Sequence, residues 1–126
     1  MPASTETQRI QSYQDLLVWQ KAVDLVVSIY ALTALFPAKE MFVMTAQMKR
    51  SAISIPSNIA EGSRRGTKKD FRHFLLNAFG SGAELETQII IVNRLSFGKD
   101  LDYNKVDQLL NEVMKMLNTL IQNLHE

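Results

Sequence analysis

Residues 102–124 read DYNKVDQLLNEVMKMLNTLIQNL, and their apolar positions Val106, Leu110, Val113, Leu117, Leu120 and Leu124 step by four and three without a break. That spacing is one face of an α-helix, because a 3.6-residue turn brings residues three and four apart to the same side. Asp102, just ahead of the run, is the expected N-cap. Working back from this helix, the scarce glycines and prolines divide the rest of the chain into three more helical segments.

The first runs from about Leu16 to Phe36, ends at Pro37, and carries Leu16, Trp19, Val23, Val26 and Tyr30. A second, from about Lys39 to Glu61, carries Met41, Met44, Met48, Ala52, Ile55 and Ile59, with Gly62 as its stop. The third starts after Thr67, which has capping-box spacing to Asp70, and continues through Phe71, Leu75, Ala78, Gly82, Leu85, Ile89 and Val92 to near Gly98. No segment shows the period-two pattern of a half-buried strand. Four helices on short loops predict an all-α, antiparallel up-down-up-down four-helix bundle spanning 13–126, behind a disordered N-terminal tail over 1–12. Helices one and three carry more apolar residues than one core uses: Leu17, Val18, Leu25, Val27, Ile29 and Leu32 on the first, Phe74, Phe79, Ile90 and Ile91 on the third. Either a few of these are exposed on a monomer, or another copy of the chain covers them.

The 126 residues fit one domain, and 46% hydrophobic with 21% charged residues is the balance of a soluble protein. No apolar run is long enough for a bilayer, so no membrane association is expected. The N-terminal MPASTETQRIQ lacks a basic region followed by an apolar one, and a cytoplasmic location is expected. Cysteine is absent, which removes disulfides, thiolate chemistry and cysteine-ligated zinc. Only His73 and His125 could serve as imidazole bases or ligands.

SIPSNIAEGSRRG, residues 54–66, interrupts the second helical pattern. Pro56 cannot donate to the carbonyl of Ala52 and crowds it, so the helix is expected to kink there or to restart. Ser54, Asn58 and Glu61 border the apolar stripe on this helix, and Ser81, Glu84 and Gln88 form a polar line on the third. The two lines predict a structural network that satisfies the carboxylates and sets register.

QMKRSAISIPSNIAEGSRR (48–65 with the preceding Gln47), FRHFLLNAFGSGAELETQI and the upstream YQDLLVWQKAVDL together resemble the four-helix bundle family of 23S rRNA intervening-sequence proteins. The likeness extends from Tyr13 to about Leu124, with Gly82 standing where a bulkier or hydroxyl residue is expected. It implies a cytoplasmic bacterial protomer assembled as a cyclic homopentamer, without enzymatic activity. It also implies a link to the accessory proteins of diversity-generating retroelements, which share the architecture and bind nucleic acid through a basic surface.

The residues themselves place charge unevenly. Between 49 and 72 lie Lys49, Arg50, Arg64, Arg65, Lys68, Lys69 and Arg72 against Glu61 and Asp70, a balance of plus five, whereas the remainder is minus four. Five of these cations surround the turn between helices two and three, where the free N–H groups of the third helix also favour an anion. Phosphate-directed binding of structured RNA or another nucleic acid is expected from these seven residues, with little base readout, because the interleaved Phe71 and Phe74 belong to the core pattern. The competing expectation is a solvated turn on a scaffold that assembles a protein partner.

Catalytic patterns are weak. Asp70 with His73 is the nearest approach to a Glu-x-x-His pair, occurs once and sits among cations, so no metal is expected. GSGAELE lies within a helix and lacks the lysine of a phosphate-binding loop, and no histidine near Ser81 could activate it. Neither a cofactor nor an enzymatic reaction is expected.

Overall fold

A computed structural model describes residues 12–124. The expected tail lies outside these residues except for Ser12, and His125 lies outside them as well. Four α-helices carry the fold: α1 Leu17–Thr33, α2 Ala46–Ser63, α3 Lys68–Arg94 and α4 Asn104–Asn123. No strand occurs among the described residues. Both α1 and α3 pack against α2 and α4, with α2 on α3 the most extensive contact, so the four close around one core.

On α3 the expected line is the buried line: Leu75, Ala78, Gly82, Leu85, Ile89 and Val92 all face inward. Gly82 is covered by a side chain of α4, since a Cβ there would overlap the thioether of Met114. On α1 the expected phase needs correction. The buried residues are Val18, Ala22, Leu25, Ile29 and Leu32, while Leu16, Trp19 and Val26 are only partly covered and Tyr30 is exposed. Apolar residues occupy two sides of this helix, so periodicity alone does not say which side turns inward. A similar shift affects α4, where Leu109 and Ile121 are buried and Leu120 and Leu124 only partly so.

The entry to the second helix also departs from a simple α pattern. A 3₁₀ turn over Ala38–Glu40 leads into a π-helix over Met41–Thr45 before α2 begins. The wider π turn changes the phase of the helix, and Met41, Phe42 and Val43 stand 53%, 88% and 50% exposed instead of extending the core line. Through Pro56, by contrast, the helical residues run without a gap, so the expected restart does not occur. Asn58 reaches back one turn to donate its side-chain amide to the Ser54 carbonyl at 2.8 Å.

Helix termini follow sequence chemistry in part. Thr67 caps α3 by accepting the Asp70 N–H at 3.1 Å. Tyr103, not Asp102, is the N-cap of α4, although Asp102 Oδ1 accepts the Asn104 N–H at 2.9 Å one residue earlier. A capping box of Ser12 and Asp15 begins the short 3₁₀ turn Tyr13–Asp15 that leads into α1.

Between α3 and α4 the buried Tyr103 donates its hydroxyl to the Gly98 carbonyl at 2.5 Å, closing the loop. Burial raises the pKa of this phenol, with a smaller contribution from Asp107, so the donor stays protonated across the physiological range. Tyr103→Phe strands the Gly98 carbonyl. The expected loss is about 1–2 kcal/mol in urea unfolding, and an unchanged midpoint would mean that water replaces the phenol.

Candidate nucleic-acid interface

The turn between α2 and α3 is built by a short sequence of backbone events. Arg64 caps the end of α2, and its N–H and that of Arg65 return to the carbonyls of Glu61 and Gly62, each at 3.2 Å. Gly66 then takes φ +91°, a conformation that side chains disfavour, and Thr67 restarts the chain as the cap of α3. Residues 64–70 are all exposed. The result is an end of the bundle where Arg64, Arg65, Lys68 and Lys69 surround a helix N-terminus.

These cations are not equivalent. Arg65 Nη2 lies 2.7 Å from Glu61 Oε2, and its guanidinium stacks 4.8 Å from the centre of the Phe74 ring. Both partners of the pair are about half exposed, so its stability value is small, about 0.3–0.5 kcal/mol, and its main effect is to hold the guanidinium in place. Arg64 stacks 5.4 Å from the Tyr13 ring centre. Arg72 is half-buried and donates Nε to the Ile121 carbonyl at 3.2 Å, satisfying the end of α4 where a cation is favoured. Lys68 and Lys69 make no ion pair among the described residues, and Asp70 is the sole acid in this first turn of α3.

Lys49 and Arg50 do not join this cluster. They lie 14–15 residues before Arg64 on one continuous helix, about 21 Å away by helical rise. Lys49 Nζ sits 4.3 Å from the Tyr30 ring centre. Arg50 opens onto a cleft of about 470 Å³ between α2 and α3, lined also by Gln47, Ser51, Ser54, Ser81 and Glu84. The seven cations therefore form a group of five at one end and a pair further along.

Part of the anticipated polar network assembles. Ser54 and Ser81 hydroxyls meet at 2.8 Å across α2 and α3, and Asn58 Nδ2 donates to Ser54 Oγ at 3.0 Å. Glu61 leaves the group to pair with Arg65, and Glu84 is exposed at the cleft. Gln88 is 6% exposed, and its Oε1 has no hydrogen-bond partner among the described residues. Sequence reading missed the ring partners Tyr13 and Phe74 and the Arg72–Ile121 bond, none of which has a local signature. The four-residue spacing of Glu61 and Arg65 was the one legible signal.

Among the described residues, no three His, Asp or Glu side chains converge as a metal cage. No helix among these residues is long and apolar enough to cross a membrane. What the basic turn offers chemically is a set of forked and point donors directed at anionic oxygens.

No curated protein matches this sequence. The profile of the family described as 23S rRNA-intervening sequence protein matches residues 14–119, a span that takes in all four helices up to the last turn of α4. The chain belongs to the 23S rRNA-intervening sequence protein family.

Proposed function

We propose that this protein is a non-enzymatic RNA-binding bundle of the bacterial cytoplasm, which holds phosphates at the α2–α3 turn and works as a cyclic homopentamer. The observation that carries the reading is the position of Lys68 and Lys69, exposed and without ion partners among the described residues, in the first turn of α3 beside the stacked Arg64 and Arg65. In this reading the helices run up-down-up-down, as the Tyr13–Arg64 and Tyr30–Lys49 contacts at the two ends of α1 support, and Pro56 bends α2 without ending it. A ring then repeats the basic turn around one rim. Lys49 and Arg50 stand apart from that track.

The test is filter binding of ribosomal RNA fragments to the parent and to the Lys68→Glu, Lys69→Glu double variant. Acids in a first helical turn are favourable, so the fold is retained. Binding should weaken by at least about tenfold, about equally for unrelated sequences, since two phosphate contacts disappear and repulsion replaces them. Unchanged affinity would leave the turn a solvated surface. A second reading, a ring that scaffolds a protein partner, is favoured by the exposed Met41, Phe42 and Val43 on the π turn.

A further inference from the structure

Helices α1 and α3 stand at opposite corners of the bundle, since each packs between α2 and α4. Each buries one apolar line and carries a second line outward. On α3 the outward line is Leu76, Gly80, Ala83, Thr87 and Ile90, all exposed and spaced by four, three, four and three. This is the spacing of a helix that faces another helix. Thr87 turns its hydroxyl back to the Ala83 carbonyl at 2.9 Å, which leaves its methyl to face outward. Gly80 is the telling residue. A glycine inside a helix costs about 1 kcal/mol relative to alanine, and a Cβ here would meet nothing within 4 Å. Packing within the chain gives no reason for it, whereas close approach of another backbone does.

On α1 the outward line begins Leu17, Gln20, Asp24, Val27 and Ala31, spaced by three, four, three and four, and leads to Leu35 just beyond the helix. Val27 and Leu35 are each 64% exposed. The two outward lines differ in composition and point away from each other, so neither can serve a two-fold contact with itself as well as it serves the other.

From this geometry we infer that the outer face of α1 in one copy packs on the outer face of α3 in the next, a head-to-tail contact whose repetition closes a ring. The inference rests on the oligomeric reading proposed above and names the surface that carries it. Levels along the bundle agree. Tyr13 meets Arg64 and Tyr30 meets Lys49, while Ser54 meets Ser81 and a Cβ on Gly62 would meet Phe74. These contacts put Val27 at about the height of Ala83 and Leu35 at about that of Ile91. A closed ring has no translation along its axis, so large Val27 lands beside small Gly80 and Ala83, Ala31 beside Thr87, and Leu35 beside Ile90 and Ile91. Charge agrees as well. Asp24 is exposed on α1 and makes no ion pair among the described residues; Arg50 is exposed beside the α3 face and makes none either. The same contacts place Asp24 within about one helical turn of the height of Arg50, so the acid of one copy meets the base of its neighbour.

The absence of native cysteine allows a direct test. Val27→Cys and Ala83→Cys are made singly and together, circular dichroism confirms that these exposed sites leave the helices intact, and each protein is treated with a short bismaleimide. The double variant should give a ladder of covalent multimers that ends at the copy number of the ring, and each single variant should stay at monomer size on a denaturing gel. A single variant that forms covalent dimers would overturn the head-to-tail contact. So would a double variant that stays monomeric on the gel while light scattering shows the parent to be a multimer; the oligomeric reading would then survive without this surface. A parent protein of monomer mass at micromolar concentration would overturn both.

Discussion

Gly62→Ala is expected to destabilise the protein by about 2 kcal/mol, measured as a lower midpoint in urea unfolding at unchanged slope. The residue is buried in the last turn of α2, and a Cβ there would sit 2.7 Å from Phe74 Cβ and 3.3 Å from the Phe71 carbonyl oxygen. Neither atom can swing away, because one is attached directly to the backbone and the other belongs to it. The helices must separate instead, at a cost near the upper end of the 1–3 kcal/mol typical of overpacking, against a gain of about 1 kcal/mol from replacing a helical glycine. Gly82→Ala provides the internal comparison. There the obstacle is the thioether of Met114, a flexible and partly exposed side chain, so the loss should be distinctly smaller. Equal effects at the two sites would mean that the α2–α3 approach is not the tight one. Because Phe74 also carries the Arg65 guanidinium, Gly62→Ala should disturb the basic turn as well as the fold.

RNA affinity of the parent is expected to fall roughly a hundredfold between about 50 and 200 mM salt. On the function proposed above, Arg64, Arg65, Lys68 and Lys69 would hold about four phosphates and give a logarithmic slope near 0.9 per contact on duplexes and about 0.7 on single strands. Reversal of Arg64 and Arg65 to glutamate should weaken binding to every sequence about equally and lower that slope by roughly half. Unlike the lysine pair, this reversal also affects the fold, since Glu at 65 would face Glu61 four residues away and abandon the Phe74 ring. That repulsion is worth a few tenths of a kcal/mol, about 0.2–0.5, too little to unfold the bundle. A double variant with the parental affinity and the parental slope would move the function to another surface.

How far the sequence is legible depends on whether a helix has one apolar side or two. The line Leu75, Ala78, Gly82, Leu85, Ile89 and Val92 on α3 is read correctly because these six keep step with the helical period over nearly five turns. On α1, Leu16, Trp19, Val23 and Val26 keep the same period as Val18, Ala22, Leu25, Ile29 and Leu32, and which set is buried depends on where α2 and α4 stand. The candidate site divides in the same way. Arg64, Arg65, Lys68, Lys69 and Arg72 are neighbours in sequence and remain neighbours in space, because a tight turn joins two helix ends. Lys49 and Arg50 belong to the same charge count but not to the same surface, since an uninterrupted helix carries them about 21 Å away.

By itself, the sequence determined four helices without strands, the place of the α2–α3 and α3–α4 connections, the cap at Thr67 and the cation-rich turn. All of these follow from the residues within one or two helical turns, through periodicity, backbone freedom and local hydrogen bonds. Only the tertiary structure decided that Glu61 pairs with Arg65 and not with the serines of α3, that Arg72 supports the end of α4, and that Lys68 and Lys69 keep no ion partner among the described residues. It also decided which apolar lines of α1 and α3 remain outside. The physical reason is that a side chain's partner is chosen by which helix packs beside it and at what height, and those quantities are set by the whole core at once.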